Sequence, residues 1–338
     1  MEIYQTKHLD EVREFLEGFD LRLEQDVDMT VVAVENDKII GTCSAAGHVI
    51  KDFAVSVEYQ NEGVAAKLLT FIQNKLFDKG VYDTFIFTKP ENKYIFEGLG
   101  YRFVEGNDDV VLLEGGTANV EKYVKDMFKK SGLSNGKKAA LVMNCNPFTL
   151  GHRFLIETAS YENDEVVVFI VEENRSLFPF DVRLNLVKEG VKDLKNVAVI
   201  PGGRYIISSA TFPSYFLRQE DERLRAYTRL DAAIFGKYIA KEFNIDKRYV
   251  GTEPYCNVTD AYNNALVDVL PSFGIEVRIV ERKQIDNTAV SASFVRELIR
   301  KGKIEDTYKY VPETTFNFLV SDEAKEIIDK IKRSDTPH

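Results

Sequence analysis

The sequence predicts an α/β protein in two parts, an N-terminal α+β unit followed by a unit built on a parallel sheet covered by helices. Three observations carry this. A chain of 338 residues is longer than one ordinary hydrophobic core serves. The polar stretch Ser131-Gly132-Leu133-Ser134-Asn135-Gly136 reads as a linker. Beyond it, strand-like and helix-like segments alternate, the pattern of parallel strands joined by crossover helices. The two parts are expected to cover residues 1–130 and 137–338.

Each element follows from its local pattern. Met29 to Glu35 and Lys38 to Cys43 are apolar-rich runs separated by Asn36-Asp37, a hairpin turn. Val49 to Val57 is a third run. Val64, Leu68, Leu69, Ile72 and Leu76 then recur at helical spacing within Val64 to Phe77. Thr84 to Thr88 reads as a strand, Lys93 to Gly98 as a short helix, and Tyr101 to Val104 and Val110 to Leu113 as strands; Thr117 to Lys130 is a helix. After the linker come strand Ala139 to Met143, helix Gly151 to Ser160, strand Glu165 to Val171, helix Phe180 to Gly190 and strand Val197 to Ile200. A long helix over Asp221 to Phe243, a short strand at Tyr249 to Gly251, a helix over Val258 to Leu270, a strand at Ile275 to Val280 and a helical tail complete the chain. Ligands of such a sheet bind outside the carboxyl ends of its strands.

Composition narrows the function. A formal charge of −10 argues against a broad nucleic-acid surface. No basic-then-apolar leader opens the chain, and no uncharged apolar run reaches the ~20 residues a membrane span needs. Three scattered cysteines and four histidines make a His/Cys zinc site improbable and suit a reducing cytoplasm. No metal-binding residues are expected.

The chemistry concentrates in Leu141-Val142-Met143-Asn144-Cys145-Asn146-Pro147-Phe148-Thr149-Leu150-Gly151-His152, where a strand ends, a Pro-containing turn follows and a Gly-His pair opens a helix. Backbone N–H groups and the helix dipole at that end favour an anion such as phosphate. Gly151 would let a phosphate approach the backbone, and His152 can donate to a phosphate oxygen as pyrophosphate departs. Read alone, the same residues suit a plain turn. The stretch resembles the signature of the HxGH nucleotidyltransferase superfamily, with Thr149 where the first histidine usually stands. That resemblance implies ATP binding by Asn144, Asn146, Thr149, Gly151 and His152.

Val290-Ser291-Ala292-Ser293-Phe294-Val295-Arg296 resembles the downstream (I/V)SxSxxR element of the same superfamily. It implies that Ser291, Ser293 and Arg296 hold phosphate, and that His152 and Arg296 are catalytic; a simple helix cap is the alternative. Arg175, Arg183, Gly202-Gly203-Arg204 and Gly251-Thr252-Glu253-Pro254 also follow strands and either face the same cleft or serve turns and solvent. Cys145 is read as a small turn residue, since adenylate chemistry needs no thiol nucleophile.

In the first part, Gln60-Asn61-Glu62-Gly63-Val64-Ala65 resembles the (Q/R)xxGx(G/A) loop of GNAT acyltransferases. Gln60, Gly63 and Ala65 are the residues that would bind a coenzyme A-like arm, at a helix N-terminus suited to pyrophosphate. A purely structural role for this domain is the alternative.

A GNAT-like domain followed by this nucleotidyltransferase signature is similar to the citrate lyase ligase family over nearly the whole chain. The resemblance implies a cytoplasmic enzyme that uses ATP, Mg²⁺ and acetate. The acetyl group would pass, by way of acetyl-adenylate, to the thiol of a phosphoribosyl-dephospho-coenzyme A group on the acyl carrier protein of citrate lyase, releasing AMP and diphosphate. The rival readings are an adenylyltransferase forming a dinucleotide, a regulator that binds nucleotide or acyl-coenzyme A, and a self-sufficient acetyltransferase.

Overall fold

The computed structural model describes residues 1–173, 176–207, 212–213, 216–217, 220–252, 257–286 and 288–334. Contacts divide the chain into two compact units, Met1–Tyr123 with Phe212–Leu230, and Val124–Thr211 with Asp231–His338.

The first unit runs β1 (Glu2–Thr6), α1 (Leu9–Glu17), β2 (Met29–Glu35), β3 (Lys38–Ala46), β4 (Val49–Val55), α2 (Val64–Asp78), β5 (Asp83–Thr88), α3 (Lys93–Gly98), β6 (Arg102–Gly106) and β7 (Val111–Gly116). Its seven strands pair in the order β1-β2-β3-β4-β5-β7-β6. Asn36 and Asp37 join β2 to β3 with φ of 50° and 61°, the left-handed pair a tight hairpin requires. Between β4 and β5 the pairing is parallel and covers only Val49 with Phe85 and Ile50 with Ile86. Leu68, Leu69 and Ile72 of α2 are buried in one core with Val31, Ile50 and Ile86. The segment Phe212–Leu230 joins this unit through Phe212, edge-on to Phe87 at 5.3 Å, and through Arg225, 3.2 Å from Asp109.

From α4 (Val120–Ser131) the chain enters β8 (Lys138–Met143), α5 (Leu150–Glu162), β9 (Val166–Ile170), α6 (Phe180–Gly190) and β10 (Val197–Pro201). Then follow α7 (Glu220–Ile234), a wider π-turn over Phe235–Ala240, α8 (Lys241–Phe243), β11 (Ile245–Gly251), α9 (Asn257–Val269) and β12 (Glu276–Val280). The single helix expected over Asp221 to Phe243 is therefore widened at its end. Gly236 there packs against Phe273, whose ring would lie 2.5 Å from any added Cβ. The hairpin β13 (Gln284–Ile285) and β14 (Thr288–Ala289) leads to α10 (Ala292–Arg300), α11 (Glu313–Leu319) and α12 (Lys325–Arg333).

The five strands of this unit lie parallel in the order β10-β9-β8-β11-β12. All residues of β9 are fully buried, as a strand covered on both faces demands. Val295 and Ile299 of α10 join Ile327 and Ile331 of α12 in the core that also holds Leu141 and Val168. Thus the helical tail supports the helix that bears the second signature. No described helix is long and apolar enough to cross a membrane.

Candidate active site

β8 ends at Met143, and the loop to α5 is held from several sides. Cys145 takes the left-handed conformation at φ 54° and is 1 % exposed, with its thiol pKa pushed up by burial. This matches a turn residue. Asn146, also buried, accepts from the Phe178 amide through Oδ1 at 3.1 Å, while its backbone carbonyl accepts from Arg296 Nη1. Asn144 is exposed and donates to Ser176 Oγ at 3.0 Å.

Arg183 of α6 governs this loop. It is fully buried and donates to five acceptors at 2.7–3.0 Å: the carbonyl and Oδ1 of Asn144 and the carbonyls of Val171, Glu173 and Phe178. The guanidinium therefore ties the end of β9 to the loop after β8, a role neither expected alternative foresaw. Arg175, Glu253 and Pro254 lie outside the described residues.

Thr149 caps α5. Its Oγ1 accepts from the His152 amide at 3.3 Å, and its own amide donates to His152 Nδ1 at 3.1 Å. This is a reciprocal capping box with histidine in the place usually held by Glu or Gln. Its chemical consequence is a fixed tautomer. Because Nδ1 accepts a backbone proton, the neutral ring carries its own proton on Nε2, which remains a donor. Phe148 stacks on the ring at 6.1 Å and 16°. His152 is half-buried by surface area, but protein packs densely around the imidazole. Poor solvation, then Arg282 and Arg296, push its pKa down to about 4. At neutral pH His152 is thus an uncharged donor.

Two first-turn amides expected to face a phosphate are taken within the protein: Leu150 donates to the Tyr310 carbonyl at 2.9 Å and His152 to Thr149. Thr149 itself is fully buried and serves the helix and His152. Gly151 has a reason the sequence did not suggest. A Cβ there would stand 2.6 Å from the Val290 carbonyl, so the bare Cα lets the second signature pack against the first.

Ser291 caps α10, accepting from the Phe294 amide at 3.1 Å, and its hydroxyl meets that of exposed Ser293 at 3.0 Å. Arg296, 5 % exposed, has its pKa lowered to about 10 by burial and then by Arg300, so it stays charged near neutral pH. Asn146, Arg296, Gly151 and the Ser291 segment therefore meet in one place. Arg282, which sequence reasoning missed, joins them electrostatically. Its position just past the carboxyl end of β12 was the available signal.

The Gly63 loop belongs to the first unit. Gly63 caps α2 with φ 75° and no side-chain hydrogen bond, and a Cβ there would meet nothing within 4 Å. Gln60 and Gly63 are exposed and Ala65 is half-buried on the first turn.

Residues 138–319 match the family model of the citrate lyase ligase C-terminal domain, and residues 4–111 that of the acetyltransferase (GNAT) domain. The citrate (pro-3S)-lyase ligase of Klebsiella pneumoniae is 35% identical over 313 residues, covering 90% of this chain and 91% of that protein. Those of Escherichia coli K12 and Haemophilus influenzae are 33% and 34% identical, covering 93% of this chain and 91% and 96% of theirs. With a GNAT domain, a parallel-sheet C-terminal domain that matches the family's own model and relatives of this closeness along nearly its whole length, the chain belongs to the citrate lyase ligase family.

Proposed function

We propose that the protein uses ATP to convert acetate to acetyl-adenylate. It then acetylates the thiol of a phosphoribosyl-dephospho-coenzyme A group on the citrate lyase acyl carrier protein. An acetate oxygen attacks the α-phosphorus, the bond to the β-phosphate oxygen breaks, and diphosphate leaves. The carrier thiol then attacks the acetyl carbonyl, its proton is lost, and AMP departs with the bonding electrons. The observation that carries this reading is that His152 Nδ1 accepts from the Thr149 amide, which leaves the ring proton on Nε2, while the charge of Arg296 acts on the same ring. Such a set suits charge growing on departing phosphate oxygens. We assign ATP contacts to Asn144, Asn146, Gly151, Ser291 and Ser293 as well, with Thr149 acting through His152.

The same donors are poor ligands for a bare divalent cation. Mg²⁺ would enter on the nucleotide's own phosphate oxygens and water, and no step above is routed through it. The open first turn at Gly63, with Gln60 and Ala65, is the proposed seat of the pyrophosphate in the carrier's arm. The test is labelled acetate with purified carrier: ATP-dependent label on the carrier thiol, with AMP and diphosphate released in equal amounts, supports the reading. Label that appears from acetyl-coenzyme A without ATP contradicts it.

A further inference from the structure

We propose that Arg282 is a phosphate-binding residue of the nucleotide site, the second guanidinium to face His152. The inference rests on the ATP-using reading above. Arg282 follows the carboxyl end of β12 by two positions, where a parallel sheet collects its ligands. Its amide donates to Thr252 Oγ1 at 3.2 Å and its Nε to the Thr252 carbonyl at 2.7 Å. Thr252 in turn donates to the Val280 carbonyl at 2.9 Å. The ends of β11 and β12 are thereby tied together, and a long side chain is oriented before any ligand arrives.

The next residue links this frame to both signatures. The Lys283 carbonyl accepts from the Val290 amide at 3.0 Å, and the Val290 carbonyl is the group against which Gly151 packs. Lys283 Nζ lies 5.7 Å from the centre of the Phe154 ring on α5. Arg282 thus stands on a segment bonded to the second signature and packed on the first. Its charge reaches His152, where with Arg296 it helps hold the imidazole neutral. Two guanidiniums thus act on a neutral N–H donor in this part of the described residues. Their complement is an anion with many acceptor oxygens, a polyphosphate.

The test uses the full chain with Arg282→Gln and Arg282→Lys, measuring affinity for MgATP and for inorganic pyrophosphate, and titrating His152 by NMR without ligand. Arg282→Gln should bind both about ten- to a hundredfold more weakly, the range of one lost charge-assisted hydrogen bond, and the His152 pKa should rise. Arg282→Lys keeps the charge but loses the Nε–H bond to Thr252, so it should bind better than Arg282→Gln and keep the His152 pKa low. A His152 titration left unmoved by Arg282→Gln would place the guanidinium away from the imidazole and overturn the proposal. The proposal is overturned if Arg282→Gln binds both anions like the wild type, or if Arg282→Lys binds as poorly as Arg282→Gln. Weak pyrophosphate binding by Arg282→Gln, beside a wild type that shows no acetate-dependent chemistry, would keep the site and overturn the acetate reading. Wild-type acetate chemistry with unchanged binding by Arg282→Gln would do the reverse.

Discussion

Replacing His152 by Ala isolates the donor on which the proposed chemistry turns. The Thr149 amide occupies Nδ1 at 3.1 Å, so the neutral ring presents Nε2–H, and a pKa of about 4 keeps it neutral throughout the working range. Loss of one preorganised donor to a developing phosphate charge costs about 2–4 kcal/mol, or roughly 30- to 800-fold in rate. His152→Ala should therefore slow ATP–pyrophosphate exchange by that factor, with ATP affinity falling less than the rate. The wild-type rate should show no inflection near pH 6.5 from this histidine. The same shift bears on stability. The folded pKa lies below the ordinary histidine value of 6.5, so the unfolded chain binds more protons between pH 6.5 and 4. Stability then falls as pH drops through that window, by at most about 3 kcal/mol, and His152→Ala should lose this dependence. A folded His152→Ala chain that exchanges within about threefold of wild type, or a His152 that titrates near 6.5, would refute the reasoning.

Four further outcomes are expected. Gly151→Ala drives a methyl to 2.6 Å from the Val290 carbonyl; it should cost about 1–3 kcal/mol of stability and weaken ATP binding, read by thermal unfolding with and without nucleotide. Arg183→Met strips donors from five buried or loop acceptors and should destabilise the C-terminal unit by about 3–5 kcal/mol, measured by denaturant unfolding. Asp52 is fully buried on β4, and burial, then Glu24, raise its pKa to about 7. The Ser44 hydroxyl and the Glu24 backbone favour its anion, but neither makes a well-formed hydrogen bond to the carboxylate. The folded state there binds the extra proton, so wild-type stability falls as pH rises from about 4 to 7; Asp52→Asn should match wild type at pH 4 and have the higher midpoint at pH 8. Gly63→Val puts a branched side chain at φ 75° and should slow acetyl transfer to the carrier at least tenfold while leaving ATP–pyrophosphate exchange unchanged, a split readable in paired assays.

Where periodicity was strong, the sequence was sufficient. Helix α2, expected over Val64 to Phe77 from its apolar spacing, runs over Val64–Asp78, and Asn36-Asp37 makes the turn its residue types favour. β1 was missed because Glu-Ile-Tyr-Gln-Thr has no apolar run; it is an edge strand whose register comes from β2. The two-residue strands β13 and β14 are too short to show a period.

The site was legible through its local chemistry and opaque where contacts are distant. Thr149 and His152 stand at the spacing of a capping box, so their mutual bond could be read from the chain. Gly151 was assigned to a ligand because nothing local says that Val290 will press against it. Arg183 was read as facing the cleft or the solvent, because its bond to Asn144 spans 39 residues and depends on the parallel pairing of β8 with β9. Arg282 was missed for the same reason: its partner Thr252 lies at the end of a neighbouring strand.

The most direct measurement is ATP–pyrophosphate exchange by the purified protein with Mg²⁺, with and without acetate and with no carrier present. Exchange that requires acetate is predicted, because acetyl-adenylate forms before any thiol is needed. Tight ATP binding with no acetate-dependent exchange would contradict carboxylate adenylation as the work of this site.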